Sequence, residues 1–473
     1  MNRHRDGQRV EARQAAIEIL LTAEVEQRFV DEVLAAYLES DRGVPLDRDR
    51  RLLQELVYGA VRHQNTLDRL LSGSMKWPMS SQRKEPRWAL RLGAFQMVYL
   101  SRIPAHAALD QTLEALKALP RVPAKTVGFV NAVLRSLLRG IREKTEAPPV
   151  NPRDPSVLPV RQGFCCFRHD VLPDHRRDPI AHLAIKHSQP GWLLARWFDR
   201  FGEEETEPLC EAHNRVPQLA VRTTGKAPSR DAVSARLGEE GWGVANGTLP
   251  DSLILQRVSR LGQSPTLADG WFQVQDETAQ RIGAALKPPA GARVLDLCAA
   301  PGGKTAQLVE GVGGNGSVVA TDRTDEKLTR VRQTLERVAQ PDAADVYRLV
   351  RVPEDPSAIQ LGEEFTHVLV DPPCSNTGVL ARRPEARWRI AAPDLESLAK
   401  LGDGLLEAGL RHLAPGGRLV FATCSIEPEE NEAVVAASVA KHPELEELET
   451  HLFLPHRTGS DGGYYSLLLK RRT

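Results

Sequence analysis

Val294-Leu-Asp-Leu-Cys-Ala-Ala-Pro-Gly-Gly-Lys-Thr305 reads as an apolar strand that ends in a glycine-rich turn and enters a helix. Glycines let a ligand approach the backbone, and a helix N-terminus offers free amides to an anion. Asp322 ends the next apolar run, where a carboxylate can accept both ribose hydroxyls of an adenosine-containing cofactor. Three cofactor loops compete. A P-loop needs its first glycine at position 298, where Cys298 stands, although Gly303-Lys304-Thr305 and Val370-Asp371 fit its other parts. A dinucleotide loop needs Gly-x-Gly-x-x-Gly, which is absent. An S-adenosyl-L-methionine loop needs an acid, small residues and a glycine-rich turn. Asp296, Cys298, Ala299, Ala300, Pro301, Gly302, Gly303 and Lys304 meet that need, with Asp322 for the ribose. A plain strand-to-helix turn is the bland alternative.

Strands and helices alternate outward from this loop. Strands are predicted at 293–298, 317–321, 346–352, 366–370, 418–423 and 464–470, with helices opening at 303 and spanning 325–338, 393–413 and 428–441. Such alternation implies a mostly parallel sheet covered by helices, with ligands at the carboxyl ends of its strands. Upstream, residues 9–140 carry apolar residues at three- and four-residue spacing, as in Val30, Val33, Leu34, Tyr37 and Leu38. That is an all-α pattern. Pro148, Pro149, Pro152, Pro155 and Pro159 then exclude a continuous helix. The expected fold is multidomain: an all-α domain over 1–146, a linker over 147–187 that leaves room for local strands, a small α+β module over 188–270 and a C-terminal α/β Rossmann-like domain over 271–473. Within the module, a helix is predicted over 192–212.

The 473 residues are 41% hydrophobic and 26% charged, which excludes disordered and collagen-like classes. No apolar run approaches the ~20 residues of a membrane span. Met1–Gln14 is polar and shows no signal peptide, and six cysteines do not make a disulfide framework. A cytoplasmic location is expected. Lys and Arg total 62 and Asp and Glu total 62, so a uniformly basic coat is excluded. Residues 51–146 nevertheless carry 16 basic and 7 acidic side chains, enough for a local phosphate-binding face.

Two cysteines follow strands of the sheet, in Asp371-Pro-Pro-Cys-Ser375 and Thr423-Cys424-Ser425. Both should lie at the carboxyl edge beside the cofactor loop. A thiol beside a methyl donor suits methylation of a pyrimidine ring carbon: a thiolate adds at carbon 6, and carbon 5 then becomes nucleophilic. Asp371 is placed to stabilise the adduct at ring nitrogen 3. Exocyclic-amine methyltransferases also use (Asp/Asn)-Pro-Pro, but an aromatic residue follows it; here Cys374 does. Chemistry alone leaves open which thiol attacks.

These segments resemble those of the RNA cytosine-5 methyltransferases, and within them the bacterial 16S rRNA methyltransferase B family (RsmB/Sun/Fmu). Residues 294–305, 368–388 and 421–432 look like that family's motifs I, IV and VI. Gln273-Val-Gln-Asp-Glu277 and Asp461-Gly-Gly-Tyr-Tyr465 look like its flanking elements. Arg13–Leu20, Asp49–Gly59, Ile103–Ala107 and Phe129–Arg135 are similar to the NusB-like RNA-binding N-terminal domain of this subfamily. The resemblance implies Cys424 as nucleophile, Cys374 assisting product release, Asp296 and the 299–304 loop on the methionine part, Asp322 on the ribose and Asp371 on the base. It implies small-subunit rRNA as partner. A tRNA cytosine-5 enzyme and a non-catalytic NusB-like RNA-binding regulator are the alternatives.

The resemblance implies an adenine-contacting aspartate after the third strand, where this sequence departs from the family pattern and offers only a shifted Glu354 or Asp355. Arg383, Arg387 and Trp388, near Arg382 and Arg389, are expected to grip RNA, with Arg135 and Arg139 as a second contact. Cys165-Cys166 with His169 lacks a second cysteine pair, so no metal is expected. The chain is expected to act as a monomer, without a membrane.

Overall fold

The computed structural model describes residues 11–40, 47–258 and 260–472. The polar stretch Met1–Gln14 is therefore described only from Glu11 onward. The chain forms two compact units. One comprises the chain up to Asn214 together with Arg383–Arg389; the other comprises Arg215–Arg382 and Ile390–Thr473.

The first unit is built on helices Ala12–Val25, Val30–Glu39, Asp47–Arg62, Gln64–Ser72, Lys84–Tyr99, Ala105–Ala118 and Ala124–Gly140. Every residue from Trp88 to Tyr99 is buried, so Lys84–Tyr99 is the central helix and the others turn apolar stripes toward it. The stretch expected as a linker with room for local strands is folded around two such strands. Strands β1 (Ile141–Thr145), β2 (Val157–Pro159) and β3 (Phe164–Phe167) form an antiparallel sheet in the order β1-β3-β2. Leu158, Cys165 and Phe167 join the helical core. The prolines fall between β1 and β2 or at the end of β2, where a missing N–H costs no ladder bond. Helices Pro179–Lys186, Gly191–Phe201 and Glu203–Asn214 complete this unit rather than the module expected over 188–270. The helix predicted over 192–212 is broken at Gly202, whose φ of +76° ends the first segment.

In the second unit, β4 (Leu219–Thr223), β5 (Gly243–Asn246), β6 (Ser252–Gln256) and β7 (Phe272–Val274) form an antiparallel sheet in the order β5-β6-β4-β7. Helix Arg230–Glu239 covers it through Val233 and Leu237. Because β7 pairs with β4, the module extends past the expected boundary at 271.

The Rossmann-like sheet contains β8 (Arg293–Asp296), β9 (Ser317–Asp322), β10 (Tyr347–Arg351), β11 (Phe365–Val370), β12 (Leu413–Thr423), β13 (Leu445–Phe453) and β14 (Gly463–Lys470). Its order is β10-β9-β8-β11-β12-β14-β13, with β14 antiparallel to both neighbours. Strand alternation divides the core. Val294, Val318 and Leu369 meet Leu308 and Leu335 on one face, while Leu295, Val368 and Phe421 meet Leu405 and Leu406 on the other. Central β8 has β9 on one side and β11 on the other, which makes its carboxyl end the switch point where ligands bind.

Candidate active site

Strand β8 delivers Asp296 to that switch point, and β9 delivers Asp322 beside it. Asp296 is 1% exposed. Its Oδ2 accepts the Thr305 hydroxyl at 2.7 Å, while Oδ1 has no hydrogen-bond partner. Burial pushes this carboxyl up to about 7, with Thr305 opposing the shift and Asp371 adding to it. Asp322 is also buried. It accepts the Arg323 amide at 2.7 Å and the Ala300 amide at 3.2 Å, and pairs with Lys327 at 3.1 Å. Gly302 has φ +104°, and a Cβ there would sit 3.1 Å from Val331 Cα. Ala299 and Gly302 are buried, Pro301 is exposed, and Cys298, Ala300, Gly303 and Lys304 are half-buried along this turn. Burial and then the nearby carboxylates push the Cys298 thiol far up, so it stays neutral. A buried carboxylate oxygen without a protein donor, a glycine turn and a second acid suit an ammonium group and a ribose. S-adenosylmethionine carries both. Glu354 is exposed and pairs with Arg323 at 3.1 Å, and Asp355 spends its oxygens on Ser357. Neither is preorganised for an adenine.

Neighbouring strands β11 and β12 run parallel, with Val370 opposite Phe421, so the chains leaving them emerge side by side. One carries Cys374 and the other Cys424. Their sulfurs are 3.0 Å apart. Asn376 links both: its amide donates to the Cys374 carbonyl at 2.9 Å, and the Cys424 thiol donates to its Oδ1 at 3.3 Å. The Gly378 amide donates to the Cys424 carbonyl at 3.0 Å. A Cβ on Gly378 would lie 2.8 Å from that oxygen, so only glycine allows this approach. The bond to Cys424, then burial, raises Cys374 well above an ordinary thiol, keeping its proton in place. Lys304 Nζ lies 2.7 Å from Asp371 Oδ2. Burial disfavours the Lys304 ammonium, but Asp371 outweighs it and Cys424 adds to the same side, so the lysine stays charged.

Sequence reasoning did not identify the groups that hold these loops. Arg382 pairs with Asp276 at 2.8 Å and Asp461 at 2.5 Å. Burial pushes Asp461 up to about 6, with Arg382 opposing. Buried Glu430 joins Ser375 and Ser425, the residues after each cysteine. An acid following Thr-Cys-Ser was the only available signal.

The expected RNA contacts divide. Arg135 is exposed, with Nε on Asn131 at 2.9 Å. Arg383 is half-buried over the Phe29 ring. Arg387 is 1% exposed, and its guanidinium donates to the Ser188 carbonyl at 3.0 Å, the Asn214 side chain at 3.0 Å and the His213 carbonyl at 3.1 Å. Trp388 packs on the helical core and donates to the Val61 carbonyl at 2.9 Å. These two residues are structural anchors inside the first unit, which corrects their expected role at the RNA surface. Cys165 and Cys166 are consecutive on β3, so their side chains point to opposite faces. Among the described residues no helix is long and apolar enough to cross a membrane.

Three family models match the chain. One for 16S rRNA methyltransferase RsmB/F covers residues 283–469, one for the NusB family covers 10–139, and one for the RsmF/B-like ferredoxin-like domain covers 189–261. Ribosomal RNA small subunit methyltransferase B of Klebsiella pneumoniae is 35% identical over 90% of this chain and 91% of its own length. The Pseudomonas putida protein of the same name is 35% identical with the same coverage. Among solved structures, PH0851 superposes with a TM-score of 0.78 at 23% identity, covering 97% of this chain and 98% of its own. NSun6 from Pyrococcus horikoshii with SFG has a TM-score of 0.55 at 18% identity, covering 60% of this chain and 99% of its own.

Proposed function

Because the chain belongs to the RsmB/F family of S-adenosylmethionine-dependent 16S rRNA methyltransferases, we propose that it methylates carbon 5 of a cytosine through a covalent adduct on Cys424. The observation that carries this reading is the pair of sulfurs 3.0 Å apart beside the Lys304–Asp371 ion pair. When bound, the cofactor supplies an electrophilic methyl on a sulfonium. Asp296 would hold its ammonium group, Ala299–Lys304 its methionine part and Asp322 its ribose.

The target base leaves its stack to enter the cleft. Cys424 passes its proton to solvent and adds through sulfur to carbon 6, and the ring electrons move toward carbon 5 and nitrogen 3. Nitrogen 3 takes up a proton from solvent as charge gathers there, and the Asp371 carboxylate, with Lys304 on one oxygen, accepts the resulting N–H. Carbon 5 takes the methyl. The carbon 5 proton leaves to solvent, its bonding pair restores the 5,6 double bond, and the carbon 6–sulfur pair returns to Cys424, with the protonated Cys374 thiol, 3.0 Å away, donating to the departing thiolate. Exposed Arg135 and half-buried Arg383 remain as RNA contacts. An rRNA substrate fits a cytoplasmic enzyme.

The test uses Cys424→Ser and Cys374→Ala with labelled S-adenosylmethionine and small-subunit rRNA. Cys424→Ser loses transfer and forms no covalent complex. Cys374→Ala accumulates a protein–RNA adduct that survives denaturing electrophoresis. Exchange of the two phenotypes would make Cys374 the nucleophile.

A further inference from the structure

The two-thiol reading leaves a physical question: what holds two sulfurs of different loops within reach of one ring carbon. The loops leave β11 and β12 without a covalent tie. Between them lies Glu430, 3% exposed. Its Oε1 accepts the Ser375 amide at 2.8 Å. Its Oε2 accepts the Ser375 and Ser425 hydroxyls, each at 2.5 Å. Both serines directly follow the cysteines. The ties continue outward. Ser425 Oγ accepts the Glu427 amide at 3.0 Å and stands 3.1 Å from Thr377 Oγ1, which accepts the Ile426 amide at 3.0 Å.

We propose that Glu430 is a positioning residue for the thiol pair, its buried carboxylate clamping the loop of Cys374 to the loop of Cys424. The role rests on the two-thiol reading. A carboxylate is required because three donors converge on two oxygens. An amide would turn an N–H toward at least one of them, and an apolar side chain would leave the Ser375 amide without this acceptor and the two serine hydroxyls only each other and Thr377. The charge has a second effect. After the Cys424 bond, burial and Cys424 itself, Glu430 adds to the rise of Cys374 and helps keep its proton on the thiol. The titratable groups around this pair are Cys424 and Glu430, with Lys304 facing Cys424 and Glu427 facing Glu430. Burial raises Glu430 above an ordinary carboxylate, and the serine bonds oppose that shift.

The experiment uses the full chain. Glu430→Gln is expected to bind S-adenosylhomocysteine like the parent while the single-turnover methylation rate falls about 10- to 100-fold, the cost of a roughly 1 Å misplacement. Glu430→Asp, which keeps the charge, recovers part of the rate. In a Cys424→Ser background, Glu430→Gln shifts alkylation of Cys374 by iodoacetamide to lower pH, a change that simple loosening would not produce. An unchanged rate and an unmoved alkylation midpoint overturn the proposal. If Glu430→Gln also loses S-adenosylhomocysteine binding, Ser425→Ala takes its place; it removes one tie and keeps the charge. A slowed rate with binding intact supports the clamp, and a parental rate overturns it. Cys424→Ser run in parallel separates the two readings. Methyl transfer by that variant defeats the two-thiol mechanism. Its inactivity beside a fully active Glu430→Gln defeats only the clamp.

Discussion

Asp296→Asn should make the cofactor-free protein more stable and a poorer binder. The wild-type carboxyl is pushed from 3.8 to about 7 by burial. Each unit corresponds to ~1.36 kcal/mol, so ionising Asp296 in the cofactor-free fold costs about 4 kcal/mol. Because the fold holds this proton more tightly than the unfolded chain does, the group's stabilising contribution is complete below about pH 4 and is lost as pH rises through about 7. Asparagine does not titrate. The stability advantage of Asp296→Asn should therefore grow across that window and level off above about pH 8, at no more than about 4 kcal/mol. Binding runs the other way. The cofactor's ammonium needs the ionised form, so wild-type affinity for S-adenosylhomocysteine should fall about tenfold per unit below about pH 7. The variant should bind about 10- to 100-fold more weakly at about pH 8, the worth of a hydrogen bond to a charged group. Calorimetric titration and scanning calorimetry on the same samples, from about pH 5.5 to about pH 8.5, measure both. If Asp296→Asn melts in parallel with the parent at every pH and wild-type affinity is flat, Asp296 does not face the ammonium and the assignment fails.

Arg382→Met removes the cation between Asp276 and Asp461. Urea unfolding should show a loss of about 3 kcal/mol, because two poorly exposed carboxylates lose their partner. The loss should be smaller at about pH 5 than at about pH 8, since Asp461, already near 6, can then take a proton. Arg387→Ala should destabilise the first unit by about 3 kcal/mol, through three abandoned acceptors and a buried void, without changing the rRNA affinity of folded protein. Weaker rRNA binding with unchanged melting would return Arg387 to the RNA surface.

The alternation of strands and helices was legible because each central strand is a short apolar run closed by turn residues. Helix Asp325–Val338 matches its expected bounds. Strand β13 was not legible. It is a sheet edge whose mostly exposed Glu446, Glu447 and Glu449 hide any period-two pattern while discouraging further pairing. The proline-rich stretch read as a linker because proline excludes helix. It does not exclude short strands whose prolines sit at turns and ends, and the pairing partner of β2 lies beyond a local reading.

The thiol pair could be anticipated for the same reason that the sheet could. In a parallel sheet, residues just past neighbouring strands share one edge, so topology alone brings Cys374 and Cys424 together. Arg387, Trp388 and Glu430 obey no such rule. An arginine or tryptophan in a loop has the same local sequence whether it meets solvent or the carbonyls of His213 and Val61. Glu430 lies in the run Glu429-Glu430-Asn431-Glu432, whose composition reads as a solvated surface. Its meaning depends on serines supplied by two other loops. Strand ends announce which atoms can react. The polar groups that fix their separation are set by tertiary contacts, and a buried acid with three donors, unlike a surface acid, must lose function when its charge or shape is changed.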